Sequence, residues 1–411
     1  MLSAVPDKAT NATIDSDIVK RQALWLRVFY FFHFGALGAL FPFLPLLFAR
    51  RELRADQISW IMVLIPLASM TVPPLWGILA DAFQARAKLL RIASVGSACS
   101  LFLLVPAKGV LQHMLAMAVF CFFRSPLVSL ADAIAHAALA DKGERFANIR
   151  IWGSVGFALF ALLSGQLKSS SHVMLLLMLS GASYLLSAAA AFGVKSPRTA
   201  KEPWIFGRTL KQLKEPTMPL LLLATAIYYS GHATFDVYYG LHLKNLHFDD
   251  SFVGLAWATG VAVEIALMMV APRILKNTPS AHLLAFSGII AALRWYCLSQ
   301  ATSALGLLSI QPLHGVTFGL WYLSLVKTIQ DNAPEALRAS LQSFVLSAMG
   351  LGMMAGYLVG GRIFEFYDGR MLYLAATGSA TLAALLYATM AFLQSRLKAQ
   401  DTGFKGDVQD E

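Results

Sequence analysis

Seven ionisable side chains inside the long apolar stretches of this sequence, where charged residues are rare, are candidates for chemistry. They are Arg124, Asp132, Arg150, Asp236, Glu264, Arg294 and His314. A charge near the centre of a bilayer costs about 2.5 to 3.5 kcal/mol even on the mildest insertion scale, so each retained charge needs a partner or a purpose. Binding of a polar solute and transfer of a proton are the chemistry that such residues support.

Asp132 and Arg150 are placed symmetrically about the short polar segment around Asp141. If this segment joins two antiparallel helices, both side chains lie at the same depth and can face each other. A guanidinium holds its donors in a fixed plane, so beside a carboxylate it can bind the hydroxyl or carboxylate groups of a solute. We interpret the pair as a substrate-binding site, with a buried ion pair that only fixes helix register as the alternative.

Arg294 and His314 have the same symmetry about residue 304. Histidine takes up and releases protons near neutral pH, whereas arginine stays charged. With Asp236 and Glu264 in the same half of the chain, this pattern indicates a proton relay. The alternative for His314 is a hydrogen-bonded packing residue.

Two aromatic groups could stack on a planar ligand. They are the run Phe29 to Phe34 and the set Tyr228, Tyr229, Phe235, Tyr238 and Tyr239. We expect most of them to face lipid or the membrane interface, with one or two lining a cavity.

The elements that carry these residues are predicted from composition. Of 411 residues, 57% are apolar and 14% are charged, and the mean hydropathy is +0.61, whereas soluble proteins carry about 25% charged residues. A helical span needs about 20 apolar residues, and the pattern predicts an all-α membrane protein of twelve transmembrane helices. They run near residues 24–48, 57–80, 89–107, 110–140, 147–167, 171–194, 217–243, 251–272, 281–301, 304–328, 338–361 and 371–394.

Polar segments divide these helices into two six-helix bundles. The predicted parts are a tail at 1–22, a bundle at 23–194, a basic linker at 195–216, a second bundle at 217–394 and a tail at 395–411. The linker holds Lys195, Arg198, Lys201, Arg208, Lys211 and Lys214, so the positive-inside rule predicts cytoplasmic termini. We expect the membrane to be the plasma membrane, as the inner membrane of a bacterium. The first 20 residues lack an apolar run, so we expect no cleavable signal.

Other classes of function are disfavoured. The net charge of +10 is explained by basic loops at a lipid bilayer, so we expect no nucleic-acid partner. The three cysteines, Cys99, Cys121 and Cys297, form no CxxC or Cys/His pattern, so we expect no disulfide and no metal. No Gly-rich phosphate loop and no clustered nucleophile is present, so we expect no cofactor, no ATP drive and no enzymatic activity.

Several motifs resemble the phenylpropionate-permease-like branch of the major facilitator superfamily, which is related to lactose permease. The segments are Phe31-Phe32-His33-Phe34-Gly35, Phe41-Pro42-Phe43-Leu44-Pro45 and Arg150-Ile-Trp-Gly-Ser-Val-Gly-Phe157. The resemblance implies two halves that rock around a central site. It also implies that Asp132, Arg150 and Phe157 bind substrate, with Phe157 at the place of a sugar-stacking Trp, and that Arg294 and His314 act in coupling.

The sequence departs from lactose permease at the coupling residues. Thr317 occupies the place of the proton-carrying Glu, and the charged pairs of helix 7 become Tyr239 with Gln311 and Asp236 with Gly350. These departures disfavour a galactoside. A buried carboxyl without a partner favours its protonated form, so Asp236 is our first choice for the proton. Glu264 lies one helical turn from the family's helix 8 Glu, so its role carries over less directly.

The loop motif between helices 2 and 3 is only partly kept. Gly77, Asp81 and Arg86 remain, while alanines replace two basic residues. We expect this loop to act as an inward gate.

These patterns together predict a secondary active transporter that works as a monomer. We expect proton-coupled symport that imports a small organic solute such as an aromatic acid. A sugar or nucleoside symporter is the alternative within transport. A non-transporting receptor or scaffold on a transporter fold is the alternative outside it.

Overall fold

The structure is a computed structural model, and it describes residues 8–139, 146–167, 172–196 and 215–407. These residues form helices joined by short turns, with no β-strand among them. In chain order the helices are α1 (Lys8–Leu40), α2 (Leu44–Ala49), α3 (Ala55–Met62), α4 (Leu64–Ala82), α5 (Arg86–Leu101), α6 (Gly109–Arg124), α7 (Pro126–Leu139), α8 (Phe146–Gly165), α9 (His172–Gly193), α10 (Thr217–Asn245), α11 (Asp250–Asn277), α12 (Ser280–Gln300), α13 (Ala304–Ile310), α14 (Trp321–Asn332), α15 (Glu335–Phe366) and α16 (Gly369–Asp407).

Two shorter elements complete this architecture. A 3₁₀ turn at Phe102–Leu104 follows α5, and a π-helical turn at Gly315–Leu320 lies between α13 and α14. A π-turn inserts an extra residue into the helical repeat and is often found at functional sites. Here it begins directly after His314.

Each predicted apolar segment is helical in the structure, although some are interrupted. Within the described residues, ten helices are long and apolar enough to cross a membrane. The predicted spans at 217–243 and 304–328 are not among the ten. The first lies in α10, where several Tyr and His residues lower the hydropathy, and the second is broken into α13, the π-turn and α14. The count of twelve spans therefore stays a prediction.

The chain forms two compact units. The first comprises Met1–Leu47, Ala68–Glu202 and Asp250–Ala258. Within it, α1 packs on α8 and α9, and α5 packs on α6, α7 and α9. Arg91 on α5 fixes the end of α9, because its guanidinium donates to the carbonyls of Ala191, Phe192 and Val194. These donors satisfy carbonyls that have no partner inside the helix.

The second unit comprises Phe48–Leu67, Pro203–Asp249 and Thr259–Glu411. Here α10 packs on α15 and α16, and α12 packs on α16. The short helix α3 joins this unit through α15, where the backbone N–H of Ala55 donates to the Glu365 carboxylate at 2.8 Å. These two units do not test the predicted division of the chain into bundles on either side of the linker 195–216. That division stays a prediction.

Two helices of the first unit are interrupted, one toward the end of its apolar stretch and one near the middle. The first interruption is at Phe41–Phe43, between α1 and α2, and contains Pro42. The second is at Ser125, between α6 and Pro126 of α7. Proline lacks the backbone N–H that a helix interior uses, so it explains both breaks. Interrupted helices in transporters supply exposed backbone dipoles to binding sites.

Candidate functional site

Close contact between α1 and α8 positions the predicted substrate residues. A side chain on Gly38 would overlap the backbone of Phe157, and one on Gly156 would overlap the backbone of Phe31. The two backbones therefore touch, as small residues at a helix interface allow. The expectation that the segment after Arg150 permits close helix approach is confirmed.

Asp132 and Arg150 both border Tyr30 of α1. The buried Tyr30 hydroxyl donates to Asp132 Oδ1. The Arg150 guanidinium lies 4.0 Å from the ring centroid of Phe34 and 5.7 Å from that of Tyr30. The structure thus brings both members of the predicted pair to Tyr30.

Asp132 and Arg150 do not pair with each other within the described part of the chain. Asp132 has a hydrogen bond from Tyr30, whereas no described residue accepts a hydrogen bond from Arg150. The guanidinium is held by stacking on aromatic faces, which attract cations. Its donors are therefore available to a solute.

Phe157 lies on the same helix as Arg150, seven residues further along. At 1.5 Å per residue the two positions are about 10 Å apart along the helix axis. The Phe157 ring packs against Trp257 with centroids 5.9 Å apart. Phe157 is half-buried and shares a helix with Arg150, with no contact between the two side chains among those described.

Arg294 is the buried centre of a polar cluster in the second unit. Its Nη1 lies 3.1 Å from His314 Nδ1 and donates to Thr317 Oγ1 at 2.9 Å, and its Nη2 reaches Gln311 Oε1 at 3.5 Å. Its guanidinium also stacks 4.5 Å from the ring centroid of Phe235. Gln311, His314 and Thr317 lie at intervals of three residues, so they are on one side of the segment 311–317, which continues into the π-turn.

His314 connects this cluster to Glu264 on α11. His314 Nε2 lies 3.4 Å from Glu264 Oε2. A guanidinium has donors only, so His314 Nδ1 must accept from Arg294 and the ring hydrogen must sit on Nε2. That hydrogen points at Glu264, and the result is a continuous chain from Arg294 through His314 to Glu264.

The replaced pair Tyr239 and Gln311 is also in contact. Gln311 Nε2 donates to the Tyr239 hydroxyl at 2.7 Å, so the predicted neutral substitute for a family ion pair is confirmed as a hydrogen bond. A further tyrosine, Tyr228, donates from its hydroxyl to the Thr317 carbonyl at 2.5 Å. These bonds fix the residues that hold Arg294.

Asp236 lies on α10 without a direct polar partner. It is half-buried, and no described residue forms a hydrogen bond or an ion pair with it. One helical turn earlier, His232 is buried with both ring nitrogens unsatisfied, and its ring lies 5.7 Å from that of His314. Sequence reasoning did not select His232.

A family model described as MFS_1 like family matches residues 23–375. The chain belongs to the MFS_1-like family. It is therefore a multi-pass membrane transporter of the major facilitator superfamily, and the resemblance read from its motifs is confirmed.

The names of the relatives of this MFS_1-like transporter state different substrates. A maltose permease from Geobacillus stearothermophilus is 29% identical over 353 residues, which is 84% of this chain and 89% of the relative. A probable 3-phenylpropionic acid transporter from Escherichia coli K12 is 24% identical over 343 residues, which is 82% and 89% of the two chains. A xanthosine permease from the same organism is 23% identical over 352 residues, with shares of 78% and 84%.

A solved structure shares the fold. The crystal structure of the nucleoside transporter NupG superposes with a TM-score of 0.79 at 19% identity, covering 90% of this chain and 98% of that chain.

The predicted gating loop of the MFS_1-like transporter contains an ion pair. Arg86 Nη2 lies 2.8 Å from Asp81 Oδ1, and Arg86 Nε donates to the same oxygen at 3.2 Å. The pair closes the turn between α4 and α5. Gly77 faces open space, because a side chain there would meet no atom within 4 Å.

The expectation that most of the aromatic residues face lipid is wrong. Phe29, Tyr30 and the whole set on α10 are buried within the protein. The reason is that their rings pack against other helices and most of their hydroxyls find polar partners. Tyr238, for example, donates to the Tyr357 carbonyl at 2.6 Å.

The aromatic residues that shape the site have only a weak signal in the sequence. Tyr30 and Phe34 lie one helical turn apart on α1, and this spacing predicts a shared helix face. A tyrosine inside an apolar run also needs a hydrogen-bond partner. Neither pattern identifies Asp132 and Arg150 as the residues that the face meets, because they are more than 90 residues away in the chain.

Proposed function

We propose that this MFS_1-like transporter imports a small organic solute, such as an aromatic acid, together with a proton. The observation that carries the proposal is the chain of contacts from Arg294 through His314 to Glu264. A histidine and a carboxylate in contact inside a membrane protein can share a proton, and such chains are the usual proton relays of transporters.

The first unit supports an organic acid as the cargo. The donors of Arg150 have no protein acceptor among the described residues, and Phe34 and Tyr30 present aromatic faces beside them. A guanidinium next to aromatic rings matches a solute with a carboxylate and a planar group. The relative named as a probable 3-phenylpropionic acid transporter agrees with this class.

Two acids are candidates for the proton. Glu264 has a direct contact with His314, which supports Glu264 and His314 as the proton site. Asp236, the preferred acid from the sequence, forms no hydrogen bond or ion pair with a described residue, which supports protonation there instead. We propose the His314 and Glu264 pair, because a proton moves most readily between groups already in contact. Asp236 is the second candidate.

A sugar or nucleoside symporter is the alternative function. Asp132 favours it, because a carboxylate beside the ligand accepts hydrogen bonds from hydroxyl groups and repels acids. The maltose and xanthosine permeases among the relatives agree with this class. Phe157 would then supply an aromatic face for the solute.

Uptake into proteoliposomes tests the proposal. Purified protein is reconstituted and given radiolabelled 3-phenylpropionate, maltose or xanthosine, with the exterior more acidic than the lumen. We expect accumulation of 3-phenylpropionate that collapses on addition of a protonophore. Accumulation of maltose or xanthosine alone would replace the organic acid by the alternative. Binding of a solute without any flux would indicate a receptor.

We also propose two six-helix bundles at 23–194 and 217–394, cytoplasmic termini and a monomer in the bacterial inner membrane. The basic linker at 195–216 supports this orientation. Reporter fusions at the linker and at residue 108 test it, because the proposal places these two positions on opposite sides of the membrane. If a reporter that is active only outside the cytoplasm gives a signal when it is fused at the linker, the orientation is the reverse of the proposed one.

A further inference from the structure

Arg124 is a half-buried intramembrane cation that the proposed function does not use. It is the last residue of α6 and lies in the middle of the apolar span Gly109–Ala138. Its Nε and Nη1 are buried without a hydrogen-bond partner among the described residues. Buried donors without an acceptor are energetically costly. These two donors therefore call for a bound acceptor.

The side chains around Arg124 are polar groups that also lack partners. The Tyr184 hydroxyl and His33 Nδ1 are buried and unsatisfied. Tyr184 lies close enough to the guanidinium for electrostatic interaction, although the two do not form a hydrogen bond of ordinary geometry, and His33 also feels the charge of Arg124. The rings of His33 and Tyr184 pack edge to face with centroids 5.8 Å apart.

The nearest acid in this unit is engaged elsewhere. Asp132 accepts a hydrogen bond from Tyr30 and interacts with Arg150 and His136 rather than with Arg124. No carboxylate among the described residues forms an ion pair with Arg124. The face of the guanidinium is covered by the ring of Phe41, at 4.8 Å from the centroid. The edge that carries the donors is therefore the part that a ligand can reach.

Both helix interruptions of the first unit meet at this place. Phe41 belongs to the break between α1 and α2, and Arg124 directly precedes the break at Ser125. The Ser125 hydroxyl is also buried and unsatisfied. Interrupted helices with unsatisfied polar groups near the centre of a span are typical of transporter binding sites.

We propose that Arg124, Tyr184 and His33 form a second, anion-binding site, which holds the carboxylate of the transported solute. The guanidinium offers two N–H groups, the phenol offers one O–H, and the imidazole offers Nδ1–H in the required tautomer. Together they match the acceptor oxygens of one carboxylate. Arg150 then contacts the same carboxylate from the side of Tyr30 and Phe34, while Asp132 and Tyr30 contact the rest of the solute.

This assignment rests on an organic anion as the cargo, and binding measurements on the full-length protein in detergent test it. The probes are 3-phenylpropionate and its neutral amide, 3-phenylpropanamide, titrated by calorimetry above neutral pH. We expect the wild-type protein to prefer the acid by at least about tenfold. Arg124→Gln should lose that preference and keep its affinity for the amide, whereas Arg124→Lys should retain part of it.

Two tyrosine variants form a matched pair, since each loses one buried hydroxyl. Tyr184→Phe should reduce affinity for the acid only, by about threefold to tenfold. Tyr30→Phe, in the other site, should change the affinities for acid and amide by the same factor. An Arg124→Gln protein that still prefers the acid overturns the assignment, as does a Tyr184→Phe protein identical to wild type.

A solute-independent measurement separates failure of the site from failure of the proposed function. The apparent Tm is measured with acetate and with acetamide at equal ionic strength, because acetamide matches acetate in size and carries no charge. Acetate should raise the Tm of wild type and Tyr30→Phe, and not that of Arg124→Gln. If acetate has no effect on wild type, the anion site is wrong whatever the cargo. If acetate acts through Arg124 but 3-phenylpropionate does not bind, the site holds a free anion and its assignment to the solute is wrong.

Discussion

Arg294 Nη1 lies 3.1 Å from His314 Nδ1, and this contact fixes which protonation state of His314 the structure holds. Because arginine cannot accept a hydrogen bond, Nδ1 must carry a lone pair and His314 is neutral. Adding a proton to Nδ1 would place two donors against each other and break the contact. Protonation of His314 therefore weakens its hydrogen bond with Arg294. This links the protonation state of His314 to the arrangement of the cluster.

The location of the proton is tested by two acid-to-amide variants. Glu264→Gln removes the carboxylate that faces His314, so it should abolish accumulation driven by a pH gradient while counterflow exchange of the solute continues. Asp236→Asn should keep gradient-driven accumulation. Both are measured as solute uptake in proteoliposomes with and without a pH gradient.

The reverse result would place the proton on α10. Loss of accumulation in Asp236→Asn with accumulation retained in Glu264→Gln would restore Asp236 as the carrier. Retention in both variants would end the case for proton coupling through either acid.

Arg150→Lys is expected to reduce transport by about tenfold or more. The change keeps the charge but removes the planar donor fork and the stacking on Phe34, and these are properties that lysine cannot supply. Initial rates of uptake at equal membrane abundance measure the effect. Near-normal uptake by a well-expressed variant would remove Arg150 from the substrate site.

Asp132→Asn is expected to show which class of solute the first unit accepts. If Asp132 repels acids, the amide should improve uptake of 3-phenylpropionate. If it accepts hydrogen bonds from the solute, uptake of every solute should fall sharply. Tyr30→Phe is the matched control, because it removes the hydrogen bond to Asp132 and leaves the carboxylate in place. A variant with unchanged uptake of all solutes would leave Asp132 a structural residue.

Gly156→Ala is expected to destabilise the first unit. The added methyl would overlap the Phe31 carbonyl and force α1 and α8 apart, and overpacking of this kind costs about 1 to 3 kcal/mol. Gly378→Ala on α16 is the control, because its methyl would meet no atom within 4 Å. The apparent Tm in detergent should fall for Gly156→Ala and stay level or rise for Gly378→Ala. Equal values for the two would show that the α1–α8 contact is loose.

The charged residues inside the spans could be predicted from the sequence, because a charge in the bilayer costs free energy and is therefore rare. Arg124, Asp132, Arg150, Arg294 and His314 stand out against an apolar background, and the symmetry of two of the pairs about polar turns indicated helices of equal depth. The bond between Tyr239 and Gln311 was also foreseen, as a replaced family ion pair.

The aromatic partners were not predictable in the same way. Tyr30 and Phe34 lie among many apolar residues, and hydrophobic patterning does not distinguish a ring facing lipid from a ring facing another helix when both surroundings are apolar. The break at Ser125 had a signal in Pro126. The π-turn after His314 had none, because an extra residue in a helix leaves no compositional mark.

The membrane class, the positions of the helices and the charged residues inside them follow from the sequence, since hydropathy and the cost of charge are local properties of the chain. Tertiary structure alone decided which of those residues meet. Asp132 bonds to Tyr30 instead of Arg150, Glu264 reaches His314, and Arg124 is left with donors that no described residue accepts. Such contacts depend on the rotation and separation of helices that are distant in sequence, and close packing of backbones at Gly38 and Gly156 sets both.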